Sequence, residues 1–307
     1  MTKNMLDLLK TIVYDKGAIV NKIIKGQVFT ADEIVDFAFE TNDKEIIGAV
    51  AAHIKGISAQ KIEKLTNYIV NSAKDPMLAT IFATYNDDAP INILENFVIK
   101  CKDPEAILTF AQQVEDAEIL TLTQTIIEIN DPKYIYLFIK DIKSAPTEKL
   151  VDALIETKDA KRIYESALHI KTNERADNCF INLNLLKKLE KGIIETKDAE
   201  YIYKFAYSIF STDDLEKAII ETKNIKFIEY YAENVKGASK KKLFMAIERI
   251  YVLKANVNIR MELLFNAVFN GSTDKISAAS DIYRELFLDE TLDGNLVENA
   301  KKKILKP

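Results

Sequence analysis

The chain has 307 residues, with 42 basic and 47 acidic side chains and a formal net charge of −5. It contains 8 Gly, 6 Pro and no Trp, which are too few turn-forming residues for a β-sandwich, a β-barrel or a low-complexity disordered chain. Apolar residues make up 48%, enough for a continuous core. The acidic balance argues against a general nucleic-acid binder.

The sequence predicts a cytoplasmic protein that does not enter a membrane. No window approaches the roughly 18 uncharged apolar residues of a membrane span. The N-terminus lacks the apolar stretch and small-residue cleavage site of a secretory signal. Two cysteines, Cys101 and Cys179, are too few for a disulfide framework, which favours a reducing compartment.

In chain order, residues 1–30 keep a helical period but match the later pattern poorly, and we expect them to form an N-terminal cap. Residues 31–237 then contain an internal repeat, clearest in the words LVDALIETKDAKRIY, LEKGIIETKDAEYIY and LEKAIIETKNIKFIE. Each unit has an Asp or Asn anchor, and a spacing of 28 residues between anchors occurs four times. The anchors are Asp15, Asp43, Asp75, Asp103, Asp131, Asp159, Asp198 and Asn224.

The positions around each anchor predict two helices that meet there. Apolar residues stand four, five and nine positions before the anchor, and others four, seven and eight positions after it, which gives one stripe on each helix. Asp and Asn are preferred N-caps, and Pro, favoured at the first helical position, follows Asp75, Asp103 and Asp131. One hairpin cannot bury both stripes alone, so neighbouring hairpins must stack.

We therefore predict an all-α fold, a right-handed α-solenoid of about eight two-helix repeats with atypical ends, forming one domain over residues 1–307. One repeat carries an insertion at residues 171–188, where we expect a loop or an additional turn. Residues 238–307 still read as helices but lose the columns of the repeat.

The pattern resembles the α-solenoid class of helical-hairpin repeat proteins, of the HEAT and tetratricopeptide kind, over about residues 30–237. The resemblance is architectural and identifies no particular family. It implies an extended face that binds other proteins, as most members of this class do, and some HEAT-like members bind nucleic acid.

A search for chemical motifs predicts no catalytic, cofactor or metal site. The two histidines, His53 and His169, are far apart in repeat order and have no Cys or His at ligand spacing. The eight glycines are scattered, so neither a phosphate-binding loop nor a dinucleotide fingerprint is present. We therefore expect a protein that is not an enzyme.

Tyrosines concentrate in the second helices of three repeats. Tyr134 and Tyr201 stand three residues after their anchors, and Tyr136, Tyr164 and Tyr203 stand five residues after theirs. Stacked repeats turn these columns into aromatic ladders. The ladders fit packing between repeats, and they also fit an aromatic stripe in a binding groove, because Tyr is enriched at binding hot spots.

A second ladder is the word Glu-Thr-Lys, which ends at Lys158, Lys197 and Lys223. Alternating Glu and Lys fit a solvated edge with local ion pairs. The same lysines also fit an edge that contacts phosphates or an acidic partner. Residues 1–150 hold 16 basic and 22 acidic side chains, so the second half of the chain is the more basic.

The combined expectation is a non-enzymatic scaffold that binds a protein or peptide along an extended helical face. The Lys-, Ile- and Asn-rich usage suggests a low-GC bacterium or its phage, and hence an adaptor or an inhibitor of a host protein. The alternative is a HEAT-like nucleic-acid-binding or base-processing protein. The sequence specifies no oligomeric state.

Overall fold

A computed structural model describes residues 29–172, 179–247 and 250. The Asp15 anchor, nearly all of the expected N-terminal cap and most of residues 238–307 lie outside this range. Throughout the described residues the regular structure is helical, without strands, so the prediction of an all-α protein is confirmed.

The chain divides into two compact units, the first ending at Phe210 and the second beginning at Ser211. The first unit contains twelve described α-helices: α1 Ala31–Thr41, α2 Lys44–His53, α3 Ala59–Tyr68, α4 Pro76–Tyr85, α5 Ile91–Cys101, α6 Pro104–Gln113, α7 Ile119–Ile129, α8 Pro132–Asp141, α9 Thr147–Glu156, α10 Ala160–Thr172, α11 Cys179–Thr196 and α12 Ala199–Ser208. The second unit contains α13 Asp213–Glu221, α14 Ile225–Asn234 and a helical stretch at 240–247.

Each anchor in the described range lies between a first helix, with an odd number, and a second helix, with an even number. The Asp43 carboxylate accepts hydrogen bonds from the backbone N–H groups of Glu45 and Ile46 and so caps α2. The same side-chain cap forms at five further anchors: Asp75, Asp103, Asp131, Asp159 and Asp198. Asn224 is the N-cap of α14 without such a bond. These caps satisfy N–H groups that have no partner inside the helix.

The residue just before each anchor has a left-handed backbone, with φ between 53° and 58°. Seven residues share this position: Asn42, Lys74, Lys102, Asn130, Lys158, Lys197 and Lys223. In four junctions a Thr stands one residue earlier. Thr157, for example, donates to the Leu154 carbonyl at 2.6 Å and accepts from the Asp159 N–H at 3.3 Å. The junction therefore turns the chain within two residues.

Two columns of the second helices form the centre of each hairpin. The position four residues after the anchor is an aliphatic residue in each described repeat and is buried in every one: Ile47, Ala79, Ile107, Ile135, Ile163, Ile202 and Ile228. The position seven after the anchor holds a buried Phe in four repeats: Phe82, Phe110, Phe138 and Phe205. The α10 helix departs from this column, because Ser166 replaces the aromatic ring and is fully buried.

Where the spacing between anchors exceeds 28 residues, the additional residues lengthen helices. Between Asp43 and Asp75 the first helix continues past α3 as a π-helical segment, Ile69–Ala73, an element that is rare and occurs mostly as a single turn. In the repeat with the 171–188 insertion, α10 has 13 residues and α11 has 18. The described part of the insertion is thus helical and lengthens both helices.

Within the first unit, the most extensive contacts join helices that are one or two apart in chain order. The second helices contact one another in the sequence α2, α4, α6, α8, α10 and α12. Each of α4, α6, α8 and α10 also contacts the first helix of the following repeat. Among the first helices, α9 contacts both α7 and α11.

Carboxylates on first helices also hold the start of the next first helix. The Asp32 side chain accepts the Ser58 N–H at 2.8 Å, and the Glu95 side chain accepts the Glu118 N–H at 3.1 Å. Ser58 and Glu118 are the N-caps of α3 and α7. Each such bond fixes the position of one hairpin on its neighbour.

Candidate binding surface on the second helices

The five tyrosines singled out by the sequence lie on α8, α10 and α12, which are consecutive second helices of the first unit. We call this set the tyrosine face: Tyr134, Tyr136, Tyr164, Tyr201 and Tyr203. All five are half-buried, because positions three and five after the anchor flank the buried position four on opposite sides of the helix, one towards the preceding second helix and one towards the following one. Each ring therefore has a packed side and a side open to solvent.

Neighbouring repeats bring some of these rings together. The Tyr164 and Tyr201 rings, on α10 and α12, are 6.0 Å apart between centroids, within the range of favourable aromatic pairs. Tyr203 lies 6.0 Å from Tyr207 on the same helix. Tyr207 is 62% exposed and extends the face beyond the two tyrosine columns.

Three cations cover rings of the tyrosine face. Lys133 lies 4.8 Å from the Tyr134 ring centroid, and Lys204 lies 4.7 Å from that of Tyr201. The guanidinium carbon of Arg162 on α10 lies 5.5 Å from the Tyr136 ring on α8. These cation–π contacts hold the rings in place. The contacts of Lys133 and Lys204 were predictable from the sequence, because these lysines are one and three residues from the tyrosines that they contact.

Two of these cations are also neutralised locally. Arg162 forms an ion pair with Glu165, and Lys204 forms one with Glu200 at 2.6 Å. The hydrogen bond from the Lys204 ammonium to the Glu200 carboxylate is the largest of the effects that raise the pKa of Lys204. The rings are therefore surrounded by paired charges rather than by a field of one sign.

Polar contacts tie the end of α12 to α10. The Tyr164 hydroxyl donates to the Ser208 hydroxyl at 3.2 Å. Lys171 donates to the backbone carbonyls of Ser208 and Ile209, both at 2.7 Å. A cation on the last carbonyls of a helix is favourable, so Lys171 fixes the spacing of two helices that carry the tyrosine face. Sequence columns give no sign of this bond, because it joins residues 37 and 38 positions apart.

The three lysines of the Glu-Thr-Lys ladder have a different environment. Lys158, Lys197 and Lys223 occupy the left-handed position before the anchor and are exposed. None of the three has an ion-pair partner among the residues that the structure describes, although the sequence suggested local pairs with Glu. Lys158 and Lys197 lie in the first unit with the tyrosine face, whereas Lys223 lies in the second.

Two observations bear on other kinds of site. In the described residues no group of three or more His, Cys, Asp or Glu side chains is arranged to hold a metal ion. None of the described helices has the length and apolar character needed to cross a membrane.

Comparison of the chain with known protein families, curated proteins and solved structures finds no match.

Proposed function

We propose that the protein is a right-handed α-solenoid scaffold that binds an extended peptide, or an extended segment of a protein, on the tyrosine face. One observation carries this proposal: half-buried tyrosines recur at equivalent positions on three consecutive second helices, and the rings of Tyr164 and Tyr201 are in contact. Tyrosine gives large contact area at low cost in side-chain entropy and is enriched at binding hot spots.

The solenoid itself is supported by the contacts inside the first unit. Repeats that contact chiefly their neighbours are the defining property of this architecture, and the first unit has six hairpins whose second helices contact in sequence. Among the first helices, α9 contacts α11 extensively and α7 only slightly. Closer stacking of the second helices favours an arrangement in which they form the inner, concave side.

A binding role agrees with the state of Cys101, whose thiol is not activated as a nucleophile. Desolvation, with the nearby Asp103 and Asp75, raises the pKa of the Cys101 thiol. A catalytic cysteine needs the opposite, a lowered pKa that gives thiolate at neutral pH. The proposal includes a cytoplasmic location, which rests on the two cysteines. It also includes the role of a phage or bacterial adaptor or inhibitor.

The test is a peptide selection followed by a pair of substitutions. A random peptide library displayed on phage is selected on the full chain, and the dissociation constant of an enriched peptide is measured by fluorescence anisotropy. We expect the double variant Tyr164→Ser and Tyr201→Ser to weaken binding at least about tenfold, because each hot-spot ring contributes on the order of 1–2 kcal/mol.

The matched control is Tyr85→Ser on α4, a second helix outside the tyrosine face, whose side chain is 44% exposed. This variant should bind the peptide as the wild type does. Circular dichroism shows whether each variant keeps its helices. Enrichment of no peptide, or equal affinity in the double variant and the control, would contradict the proposal.

Nucleic acid is the second candidate, and the junction lysines favour it. Four of the six junctions in the first unit have an exposed Lys at the same position: Lys74, Lys102, Lys158 and Lys197. Cations that recur along one edge could follow a phosphate backbone, and tyrosines could stack on bases. An electrophoretic shift with single- and double-stranded oligonucleotides at low salt tests this candidate, and its absence removes it.

If a shift appears, the salt dependence identifies the lysines. The double variant Lys158→Asn and Lys197→Asn removes two charges without backbone strain, because Asn42 and Asn130 occupy the same left-handed position. It should reduce the log–log salt slope by about 2. Lys100→Gln with Lys149→Gln, two exposed lysines of first helices, makes the same change in net charge and should leave the slope unchanged.

A further inference from the structure

Ser166 on α10 occupies a position that holds an aromatic ring in both neighbouring repeats. It stands seven residues after its anchor, as Phe138 on α8 and Phe205 on α12 do after theirs, and α10 contacts both of these helices. All three side chains are fully buried. Serine has a single oxygen where phenylalanine has a benzene ring, so the centre of this hairpin lacks a ring that its neighbours have.

Other contacts set the position of α10 between α8 and α12. The Tyr164 hydroxyl donates to Ser208, and the Lys171 ammonium donates to the Ser208 carbonyl, both at the end of α12. On the other side, the Arg162 guanidinium lies against a tyrosine ring of α8. Movement of α10 into the space of the missing ring would have to break these contacts, so the helices do not close over Ser166.

The Ser166 hydroxyl has no hydrogen-bond partner among the residues that the structure describes. A helical hydroxyl can donate to the backbone carbonyl four residues earlier, and the buried Thr80 and Thr123 do so at 3.0 and 2.7 Å. Ser166 does not form this bond. Since a buried polar group without a partner is unfavourable, its hydroxyl is a donor and acceptor for a molecule beside it.

The surroundings of this hydroxyl favour an aromatic molecule over water. A buried water forms about three hydrogen bonds. The other buried side chains of α10, and those at the same position of α8 and α12, are apolar: Ile163, Ala167, Ile170, Phe138 and Phe205. Apolar cavities of ring size stay dry and take up small aromatic molecules. A single hydroxyl on the wall favours a ring with one hydrogen-bonding group.

We propose that Ser166 lines a buried site for a small neutral aromatic molecule with one hydroxyl or N–H group, of about the size of phenol. The ring of this molecule takes the place that the Phe rings hold in the neighbouring repeats, and its polar group pairs with the Ser166 hydroxyl. The site lies in the core of the first unit rather than on the tyrosine face, so it does not depend on the proposed function.

The first experiment tests whether there is room for a ring. Ser166→Phe restores the aromatic residue of the column and removes the unpaired hydroxyl, so it should raise the melting temperature of the full chain in differential scanning calorimetry. A lower melting temperature, or a variant that does not fold, would overturn the inference, because the ring would then have no space.

The second experiment adds the probe. Phenol at a few millimolar should raise the melting temperature of the wild type by at least about 2 °C relative to its effect on Ser166→Phe, because a ligand that binds only the folded state stabilises it. In Ser166→Phe the new ring fills the site. An equal response of the two proteins to phenol would show that no such site exists.

A third comparison tests the role of the hydroxyl. Ser166→Ala keeps the space but removes the polar group, so it should respond equally to phenol and benzene, whereas the wild type should respond more strongly to phenol. If Ser166→Ala instead lowers the melting temperature and the wild type does not respond to phenol, the hydroxyl binds a buried water and the inference is wrong.

Discussion

Two buried carboxylates at the same repeat position have opposite pKa shifts. Glu95 and Glu216 both stand eight residues before their anchors, are about 5% exposed, and accept a backbone N–H from the start of a following helix. Burial raises the pKa of Glu95; the hydrogen bond from the Glu118 N–H opposes this shift, and the Glu118 carboxylate adds to it. Burial also acts to raise the pKa of Glu216, but the Ser239 N–H and the Lys242 ammonium lower it overall.

The same substitution should therefore have opposite effects at the two positions. Near pH 7, Glu95→Gln removes a desolvated charge but keeps an oxygen for the Glu118 N–H, and we expect it to raise the free energy of unfolding. Glu216→Gln loses the charged partner of Lys242 and should lower the free energy of unfolding by about 1 kcal/mol. Urea denaturation followed by circular dichroism measures both variants.

The two pKa shifts also determine how these stability differences change with pH. An acid with a raised pKa in the folded state favours folding when protonated, so the wild type gains stability from Glu95 as the pH falls. The advantage of Glu95→Gln should thus shrink on acidification. An acid with a lowered pKa favours folding when ionised, so the deficit of Glu216→Gln should shrink as well. A deficit for Glu95→Gln near pH 7 would contradict this account.

Some residue-level features followed from the sequence and others did not. The Asp anchors were predictable because N-capping depends on a local residue type and its spacing. The left-handed residue before them was not inferred, although Lys or Asn fills this position at every described junction. Its signal in the sequence is the recurrence of Lys or Asn immediately before the anchor. The ring contacts and the Lys171 bond depend on packing between repeats, which no local pattern determines.

At the scale of the element, α11 approaches α9 closely at Gly192. A Cβ added there would lie 2.7 Å from Cγ1 of Ile155 on α9, whereas a Cβ at Gly48 on α2 would lie 3.8 Å from its nearest neighbour, Leu78. Both glycines stand inside helices. Gly192 stands six residues before its anchor, where Ala153 and Ala218 stand in other repeats, so a small residue at this position permits close approach.

The two glycines should respond oppositely to alanine. Gly48→Ala gains helix propensity of about 1 kcal/mol without a clash and should raise the melting temperature. Gly192→Ala gains the same propensity but forces Ile155 to move, at a cost of about 1–3 kcal/mol, and should lower it. Differential scanning calorimetry checks both, and a higher melting temperature for Gly192→Ala would show that α9 and α11 can separate freely.

Helix boundaries were predictable wherever the repeat kept its spacing. The repeat columns placed the ends of α5 to α9 at their anchors because caps and buried stripes agree there. They did not predict that α3 continues as a π-helical segment, and for the insertion they left a loop or an additional turn open, whereas its described part lengthens α10 and α11. Additional residues can form either a loop or further turns, and the choice depends on the surface that a neighbouring helix offers.

At the scale of the whole molecule, the proposed solenoid makes stability a local property. In such an array each repeat is stabilised by its neighbours, so a perturbation should fade with distance along the chain. In a globule with one shared core, the same perturbation would reach every helix. The first unit can distinguish these cases, because α11 contacts α9, α10 and α12 whereas α2 contacts α1 and α4.

Gly192→Ala is the perturbation that tests this property. Native-state hydrogen exchange read by mass spectrometry should show faster exchange in α9 to α12 and little change in α1 to α4, because opening of the strained repeats need not open distant ones. Gly48→Ala should slow exchange in α1 to α4 and leave α9 to α12 nearly unchanged. An equal loss of protection in all twelve helices would show one cooperative core and would contradict the solenoid on which the peptide-binding proposal is built.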